Sequence, residues 1–254
     1  MNHKKLVVGN WKMNPDSLAE AKRIAAKVKR ASPLLNGIDV VMCPPFPFLV
    51  GITPRKAVKN LSMGAQSASY ENSGAHTGEV GARMLRNIGA EYVIVGHSEQ
   101  RTKGDTDAIV ARRVSAVLEA GLVPILCVGE AHHDEAGAYM DVLKEQIKGS
   151  LAAVPASMAK KIVIAYEPIW AIGVTEAMKP EDVYESSLFV KKVFADLFGA
   201  EAGLDVRVLY GGSVTFRNAP EIITVGKVDG FLVGRESVNA PGFIQLLKAV
   251  DAVS

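Results

Sequence analysis

Short apolar runs recur along the chain, with amphipathic stretches between them. This alternation is typical of a parallel sheet whose strands are joined by crossover helices. Most of the runs are continuous rather than alternating, which indicates strands that are covered on both faces. The eight predicted strands are Lys5–Asn10, Ile38–Cys43, Leu61–Gln66, Tyr92–His97, Val123–Val128, Ile162–Glu167, Val206–Gly211 and Gly230–Gly234.

The stretches between the runs carry helical signals. From Asp105 to Ala120 the apolar residues recur at three- and four-residue spacing beside charged residues, so one face is predicted to be buried and the other solvated. Pro180, followed by two acids, opens another predicted helix. Gly121 and Gly199 are predicted to end helices, because glycine tolerates the left-handed backbone found there.

The length favours one architecture over its main rival. A (β/α)8 barrel of eight parallel strands ringed by helices needs roughly 250 residues, and the chain has 254. We therefore predict an α/β protein with a single TIM-barrel domain over residues 1–254. An open doubly wound sheet would normally carry Gly-x-Gly-x-x-Gly after its first strand, whereas this chain has Gly9, Asn10, Trp11 and Lys12 there.

Charge and apolar runs exclude several classes of partner. Lys and Arg total 29 against 27 for Asp and Glu, a balance that predicts no nucleic-acid partner. No apolar run approaches the roughly 18 residues of a membrane span, so we expect no membrane partner. Cys43 and Cys127 lie in strand-like runs and are predicted to be core residues. Two thiols that need no pairing fit a cytoplasmic protein.

Polar residues cluster at the carboxyl ends of the predicted strands, which form the catalytic face of a barrel. They are Asn10 and Lys12 after the first strand, His97 and Glu99 after the fourth, Glu167 after the sixth, Ser213 after the seventh, and Gly234 and Arg235 after the eighth. Singly, Glu167 fits a capping carboxylate, His97 a core histidine and Lys12 a solvated charge. Together they predict a proton-transfer site with stabilisation of a developing oxyanion, and the Gly-rich turns suit a phosphate.

The segment His132, His133 and Asp134 resembles a metal-ligand cluster. Adjacent residues point apart and no matching ligand follows at helical spacing, so we predict a solvated loop or a helix start instead. The prediction for the whole chain is no metal and no cofactor.

Seven motifs resemble those of the triosephosphate isomerase family, and the resemblance extends from Val8 to about Val238. The motifs are Gly9–Asn14, Gly64–Gln66, Thr77–Glu79, Val95–Glu99, Cys127–Glu130, Ala165–Gly173 and Tyr210–Val214. The resemblance implies interconversion of dihydroxyacetone phosphate and D-glyceraldehyde 3-phosphate through an enediolate.

The resemblance also implies the role of each site residue. Glu167 moves the proton between carbons, and His97 polarises the carbonyl and moves protons between oxygens, a division of roles for which this family is a standard example. Lys12 and Asn10 stabilise the enediolate oxygens, and Glu99 supports Lys12. Backbone N–H groups of Gly173, Ser213, Gly234 and Arg235 are implied to bind the phosphate.

A mobile lid and a homodimer are implied as well. The lid that covers the substrate comprises Pro168, Ile169, Trp170, Ala171, Ile172, Gly173, Val174, Thr175, Glu176, Ala177 and Met178. The hydroxyls of Tyr210 and Ser213 are expected to accept from backbone N–H groups near its C-terminal end. In the family, the loop corresponding to Gln66–Glu79 inserts beside the partner's Lys12 region, which places Thr77 at the contact.

The sequence departs from the family pattern at several positions. Arg235 replaces a second Gly; Thr175–Met178 replaces Gly-Lys-Thr-Ala; Gln100 replaces Arg; Asp105 replaces Glu; and His76 replaces Phe. None of these changes removes a catalytic group. We expect the Arg235 side chain to point to solvent or to the following helix.

Two rival functions remain to be compared with the structure. A Schiff-base aldolase needs a lysine that projects into the barrel, commonly from the sixth strand, whereas here that strand ends in a carboxylate. A catalytically silent barrel is expected to have lost a catalytic residue, but Asn10, Lys12, His97 and Glu167 are all present.

Overall fold

The computed structural model describes residues 4–134, 137–172 and 178–254. Eight strands form a closed barrel in which each strand pairs in parallel with the next and the last pairs with the first. They are β1 Lys5–Asn10, β2 Ile38–Cys43, β3 Leu61–Ala65, β4 Ala90–Val95, β5 Val123–Val128, β6 Val163–Tyr166, β7 Arg207–Tyr210 and β8 Gly230–Val233. The predicted (β/α)8 barrel is confirmed.

Several predicted strands were one or two residues too long at their carboxyl ends. Gln66, His97, Glu167 and Gly211 lie just beyond β3, β4, β6 and β7. At these positions the backbone leaves the strand ladder to enter a loop, and the side chains that the sequence singled out lie there. The fourth strand also begins earlier than predicted, at Ala90.

Helices surround the barrel in the described part of the chain. They are α1 Leu18–Ala31, α2 Phe46–Ile52, α3 Ala82–Asn87, α4 Ser98–Arg101, α5 Asp107–Glu119, α6 Ala138–Leu151, α7 Pro180–Phe198, α8 Ala200–Asp205, α9 Ala219–Thr224 and α10 Ala240–Asp251.

Local chemistry explains where the predicted helices begin and end. Helix α5 starts two residues later than predicted because the Thr106 hydroxyl caps it by accepting from the N–H of Ile109 at 3.3 Å. Helix α7 begins at Pro180 as predicted. Gly121 and Gly199 follow α5 and α7 with φ values of 75° and 96°, which confirms the predicted helix ends.

The apolar residues form two layers, which accounts for the continuous runs of the strands. Along β1, Leu6 and Val8 belong to one buried cluster and Val7 to another. Successive side chains of a strand point to opposite faces, so one cluster fills the barrel and the other lies between the barrel and the helices. The inner cluster comprises Leu6, Val8, Val41, Cys43, Ile94, Ile125, Cys127, Val163, Ala165, Leu209 and Leu232.

Gly230 marks the point where the barrel closes. It begins β8 beside Leu6 of β1 and has a φ of 146°. A Cβ on Gly230 would lie 1.9 Å from the carbonyl oxygen of Leu6. Any side chain there must therefore push β8 away from β1.

We predict that Gly230→Ala lowers the free energy of unfolding by about 3 kcal/mol or more, because the clash adds to the backbone strain. Gly121→Ala is the matched control: it also has positive φ, but a Cβ there meets no atom within 4 Å among the described residues. It should cost only about 1 kcal/mol. Urea unfolding at one fixed protein concentration compares the two, and equal losses would contradict the closure argument.

Candidate active site

The predicted site residues lie together at the carboxyl end of the barrel. Asn10 is the last residue of β1, His97 follows β4, and Glu167 follows β6 directly. All three are buried, with exposed fractions of 5%, 5% and 3%. Buried polar groups at this end of a barrel are expected to have a chemical role or satisfied partners.

Lys12 is held from both sides at the mouth of the barrel. Its φ is 53°, a left-handed conformation that is strained for a residue with a side chain. Its N–H donates to Asn10 Oδ1 at 3.0 Å, and its carbonyl oxygen accepts from Gln66 Nε2 at 2.8 Å. These bonds hold the strained backbone and aim the side chain across the site.

The ammonium of Lys12 donates to Glu99 Oε1 at 2.6 Å. Partial burial by itself raises the pKa of Glu99, but the hydrogen bond and charge of Lys12 outweigh it, so the pKa lies below its usual value. Glu99 is therefore an anion at neutral pH. The pair supplies a positioned cation at the site.

A backbone hydrogen bond fixes the protonation of His97. The residue caps α4, and its Nδ1 accepts from the N–H of Glu99 at 3.1 Å. A ring nitrogen that accepts a hydrogen bond carries no proton, so the imidazole is neutral with its proton on Nε2. Glu99 Oε2 lies 4.0 Å from Nδ1, too far to compete as a hydrogen-bond acceptor.

Nε2 of His97 lies 3.2 Å from Glu167 Oε1. The other oxygen of Glu167, Oε2, is buried and has no hydrogen-bond partner among the described residues. One carboxylate oxygen is thus oriented by the imidazole, and the other has lone pairs to accept a proton. This is the arrangement that a general base requires.

Two glycines make room for Glu167. A Cβ on Gly211 would lie 2.6 Å from Glu167 Cγ, and a Cβ on Gly129 would lie 1.8 Å from its carbonyl oxygen. The N–H of Glu167 donates to the carbonyl oxygen of Val128 at 2.8 Å. The neighbouring strands therefore clamp the backbone of Glu167 and leave space for its side chain.

Cys127 lies inside the barrel near the carboxylate. Burial, followed by the charge of Glu167, raises the pKa of its thiol well above the usual value. A thiol with a raised pKa is a poor nucleophile. Cys43 is also free and fully buried. The prediction that both cysteines are core residues is confirmed.

The predicted phosphate-binding positions are only partly within the described chain. Gly173 lies outside it. A Cβ on Gly234 would lie 3.5 Å from Lys12 Cε, so the turn after β8 approaches the cation. Arg235 is exposed, as expected for its side chain. The N–H of Ser213 donates to the carbonyl oxygen of Ala171 at 3.3 Å.

Both ends of the predicted lid are described, but residues 173–177 lie outside the described chain. At the C-terminal end, the N–H of Met178 donates to the Tyr210 hydroxyl at 3.4 Å, as expected. Burial raises the pKa of Tyr210 to about 12, so this hydroxyl is neutral. The Ser213 hydroxyl donates at 3.2 Å to the carbonyl oxygen of Ala171, near the N-terminal end of the lid.

Glu130 is a site-adjacent residue that the strand-end reasoning did not select. Its carboxylate is 1% exposed and accepts from the indole N–H of Trp170, in the first turn of the lid, at 2.8 Å. The signal was present, since Glu130 follows the carboxyl end of β5. Strand-end reasoning misses it because β5 ends at the apolar Val128 and Gly129 follows, so Glu130 is two residues beyond the strand, where a charged loop residue is ordinary.

The segment from His132 to Asp134, predicted to be a solvated loop or a helix start, lies just before α6. His132 to Asp134 lie in the loop before α6, which confirms the loop alternative, and Asp134 accepts from the N–H groups of Ala138 and Tyr139 at 3.0 and 3.2 Å. His133 contacts Glu130 rather than only solvent. No three His, Cys, Asp or Glu side chains in the described ranges form a metal-binding group.

The aldolase alternative is not favoured. Strand β6 carries no lysine, and Lys160 and Lys161 lie in the 3-10 turn that precedes it. Within the described chain, no helix is long and apolar enough to cross a membrane.

Comparison with known proteins agrees with this geometry. The profile of the triosephosphate isomerase family matches residues 5–250. The triosephosphate isomerase of Thiobacillus denitrificans is 43% identical over 249 residues, which cover 97% of this chain and 98% of that protein. The enzyme of Carboxydothermus hydrogenoformans is 39% identical over 247 residues, covering 96% and 98%. The chain therefore belongs to the triosephosphate isomerase family and is an isomerase of triose phosphates.

Proposed function

We propose that Glu167 is the base that interconverts dihydroxyacetone phosphate and D-glyceraldehyde 3-phosphate in this chain. The observation that carries the proposal is the backbone N–H of Glu99 at His97 Nδ1, which leaves a neutral imidazole facing Glu167. An imidazolium there would tie the carboxylate into an ion pair. A neutral ring leaves the carboxylate basic and still offers one N–H to the substrate.

The reaction follows from these groups. Glu167 takes a proton from C1 of dihydroxyacetone phosphate, the C1–C2 double bond forms, and the carbonyl electrons move to the C2 oxygen. His97 donates its Nε2 proton to that oxygen and takes the proton of the C1 hydroxyl. Glu167 then returns its proton to C2. The net change moves protons only, so it consumes no oxidant or reductant.

Lys12 and Asn10 stabilise the enediolate oxygens in this proposal. The ammonium of Lys12 places positive charge at the site, and Glu99 keeps it in position through the 2.6 Å hydrogen bond. Fixed charges and dipoles aimed at a developing oxyanion contribute most where water is excluded. The buried His97 and Glu167 are in such a place.

The phosphate is proposed to bind backbone N–H groups at Gly173, Ser213, Gly234 and Arg235. The N–H of Ser213 is engaged by Ala171 in this structure. Phosphate binding therefore requires Ser213 to exchange a bond to the lid for one to the ligand. Such an exchange would couple substrate binding to the position of the lid.

The lid from Pro168 to Met178 is proposed to close over the substrate and protect the enediolate. Met178, which replaces the usual Ala of the family, is 3% exposed, and its sulfur lies 3.8 Å from the Tyr166 hydroxyl. The larger side chain therefore packs under the C-terminal end of the lid. We propose that it slows lid movement without preventing closure.

Glu167→Gln should lower kcat by about 100-fold or more, because an amide has no carboxylate lone pair to take the proton. The effect on KM should be smaller, since the shape and the polar contact are retained. A coupled assay with glyceraldehyde 3-phosphate measures both. Glu201→Gln, at an exposed glutamate of α8, is the control. A Glu167→Gln protein within about tenfold of the parent in kcat contradicts the assignment.

The Arg235 side chain is proposed to add little to phosphate binding, because it is exposed and the proposed ligands are backbone groups. Arg235→Gly should therefore change KM for glyceraldehyde 3-phosphate by less than about tenfold, equivalent to about 1.4 kcal/mol. Steady-state kinetics in low salt, where a charge contribution is largest, gives the most demanding test. A larger increase in KM would mean that the Arg235 guanidinium binds the phosphate directly.

We propose that two chains form a homodimer through the loop from Gln66 to Glu79. Residues Ser73 to Glu79 are exposed in the isolated chain, and Met13, next to Lys12, is 90% exposed. An exposed loop and an exposed apolar side chain beside Lys12 form a surface that a second copy of the chain could bury.

Light scattering at micromolar concentration should give the mass of a dimer. Thr77→Arg should shift the mass toward the monomer, because it adds a charged side chain at the tip of the loop that is proposed to insert into the partner. Ala26→Arg, on the exposed face of α1, should leave the dimer intact. A monomeric parent protein, or equal masses for the parent and the Thr77 variant, argues against this interface.

A cytoplasmic location is proposed from the thiols. Cys43 and Cys127 are both free and buried. Unpaired cysteines are usual in reducing compartments.

A further inference from the structure

Glu130 has a buried carboxylate whose hydrogen bonds are unevenly distributed between its two oxygens. Its Oε1 accepts from three described donors: the Tyr166 hydroxyl at 3.0 Å, Trp170 Nε1 at 2.8 Å and His133 Nδ1 at 3.2 Å. Its Oε2 is buried and has no hydrogen-bond partner in the part of the chain that the structure describes. The orientation of the carboxylate therefore depends on the donors that converge on one oxygen.

The backbone around Glu130 is fixed independently of its side chain. The amide of Gln146, in α6, donates to the carbonyl oxygen of Gly129 at 3.0 Å and accepts from its N–H at 2.9 Å. The carbonyl oxygen of Glu130 accepts from the N–H of Ile169 at 2.9 Å. Loss of one side-chain donor would thus turn the carboxylate rather than move the loop.

His133 is the donor in this group that comes from neither β6 nor the lid. Its ring centroid lies 3.9 Å from that of Tyr139, at the start of α6, and 5.3 Å from that of Trp170. Asp134, the next residue, caps the same helix. The start of α6 therefore holds the imidazole between a fixed aromatic ring and the movable tryptophan of the lid.

We propose that His133 is a positioning residue for the lid: its Nδ1–H holds the Glu130 carboxylate toward Trp170 and so keeps the first turn of the lid docked. A buried carboxylate with fewer donors is less stable, and it turns toward other donors or water. Trp170 then loses the acceptor of its indole N–H. The proposal rests on the assigned role of Glu167, which lies three residues before Trp170 on the same short segment.

The consequence for the reaction is loss of the enediolate. When the lid opens early, the C3–O bond breaks and phosphate leaves with the electron pair. The enol left behind tautomerises to methylglyoxal. The methylglyoxal formed without protein is subtracted, and the ratio of the remainder to isomerised product measures this loss. This ratio does not depend on how much of the sample is folded, because unfolded chains form neither product by catalysis.

Two substitutions of His133 separate the effect of its hydrogen bond to Glu130 from the effect of its ring packing. His133→Phe keeps a ring on Tyr139 but removes the donor. His133→Asn removes the ring but keeps an N–H near the position of Nδ1. His132→Phe, at the neighbouring exposed histidine, controls for surface effects.

We expect His133→Phe to raise the methylglyoxal ratio about fivefold, the effect on an equilibrium of losing one hydrogen bond of average strength. His133→Asn should stay within about twofold of the parent, and His132→Phe should equal it. A ratio unchanged in His133→Phe, or raised equally in both His133 variants, overturns the proposal.

Tryptophan fluorescence gives an independent readout. The chain has two tryptophans, and Trp11 is 1% exposed while Trp170 is 38% exposed and contacts His133. His133→Phe should shift the emission to longer wavelength, because an undocked indole meets more water, and His133→Asn should not. An unshifted spectrum in His133→Phe would falsify the docking step. A parent protein that isomerises no triose phosphate would instead contradict the proposed function.

Discussion

The pairing of β8 with β1 is the constraint on which the site depends. Asn10, His97 and Glu167 come from strand ends that are far apart in sequence, and only a closed ring of strands brings them to one mouth. The seam is formed by Leu6 to Gly9 against Gly230 to Val233. Because Lys12 follows β1 and Arg235 follows β8, the cation and the proposed phosphate turn meet across this same seam. Closure of the barrel therefore determines the distance between the two ends of the proposed substrate site.

In the site, the positive charge lies on Lys12 and the imidazole of His97 is neutral. The buried imidazole is kept neutral by a backbone N–H, so it adds no positive charge beside the carboxylate. The positive charge is placed at Lys12, which has Glu99 as its own partner. In the proposed mechanism, a developing negative charge on the substrate would meet one N–H and one cation, and Glu167 would take the proton. Separate groups would thus serve as the base and stabilise the developing charge.

Much of the fold and of the candidate site followed from local sequence signals. The eight apolar runs, Pro180 at a helix start and the glycines at helix ends depend on short stretches of chain, and each was predicted close to its observed position. Contacts between residues that are distant in sequence were harder to predict. The contact of His133 with Glu130 and Trp170 depends on how two loops pack above the barrel, and no periodic pattern encodes that. The bond from Ser213 to Ala171 was missed because the motif gives the residue type but not which partner its N–H selects.

The glycines around Glu167 extend the functional site beyond its polar residues. Gly129 and Gly211 carry no reactive group, yet each occupies a place where a single methyl would collide with the side chain or the backbone of Glu167. The space needed by the Glu167 carboxylate, the proposed base, is thus encoded on the neighbouring strands. Two kinds of position should therefore tolerate substitution least: those whose side chains take part in the reaction, and those, such as Gly129 and Gly211, whose lack of a side chain leaves space for Glu167. A search for reactive side chains alone would overlook the second kind. Substitution of either glycine would displace Glu167 and lower activity even though every reactive group was still present.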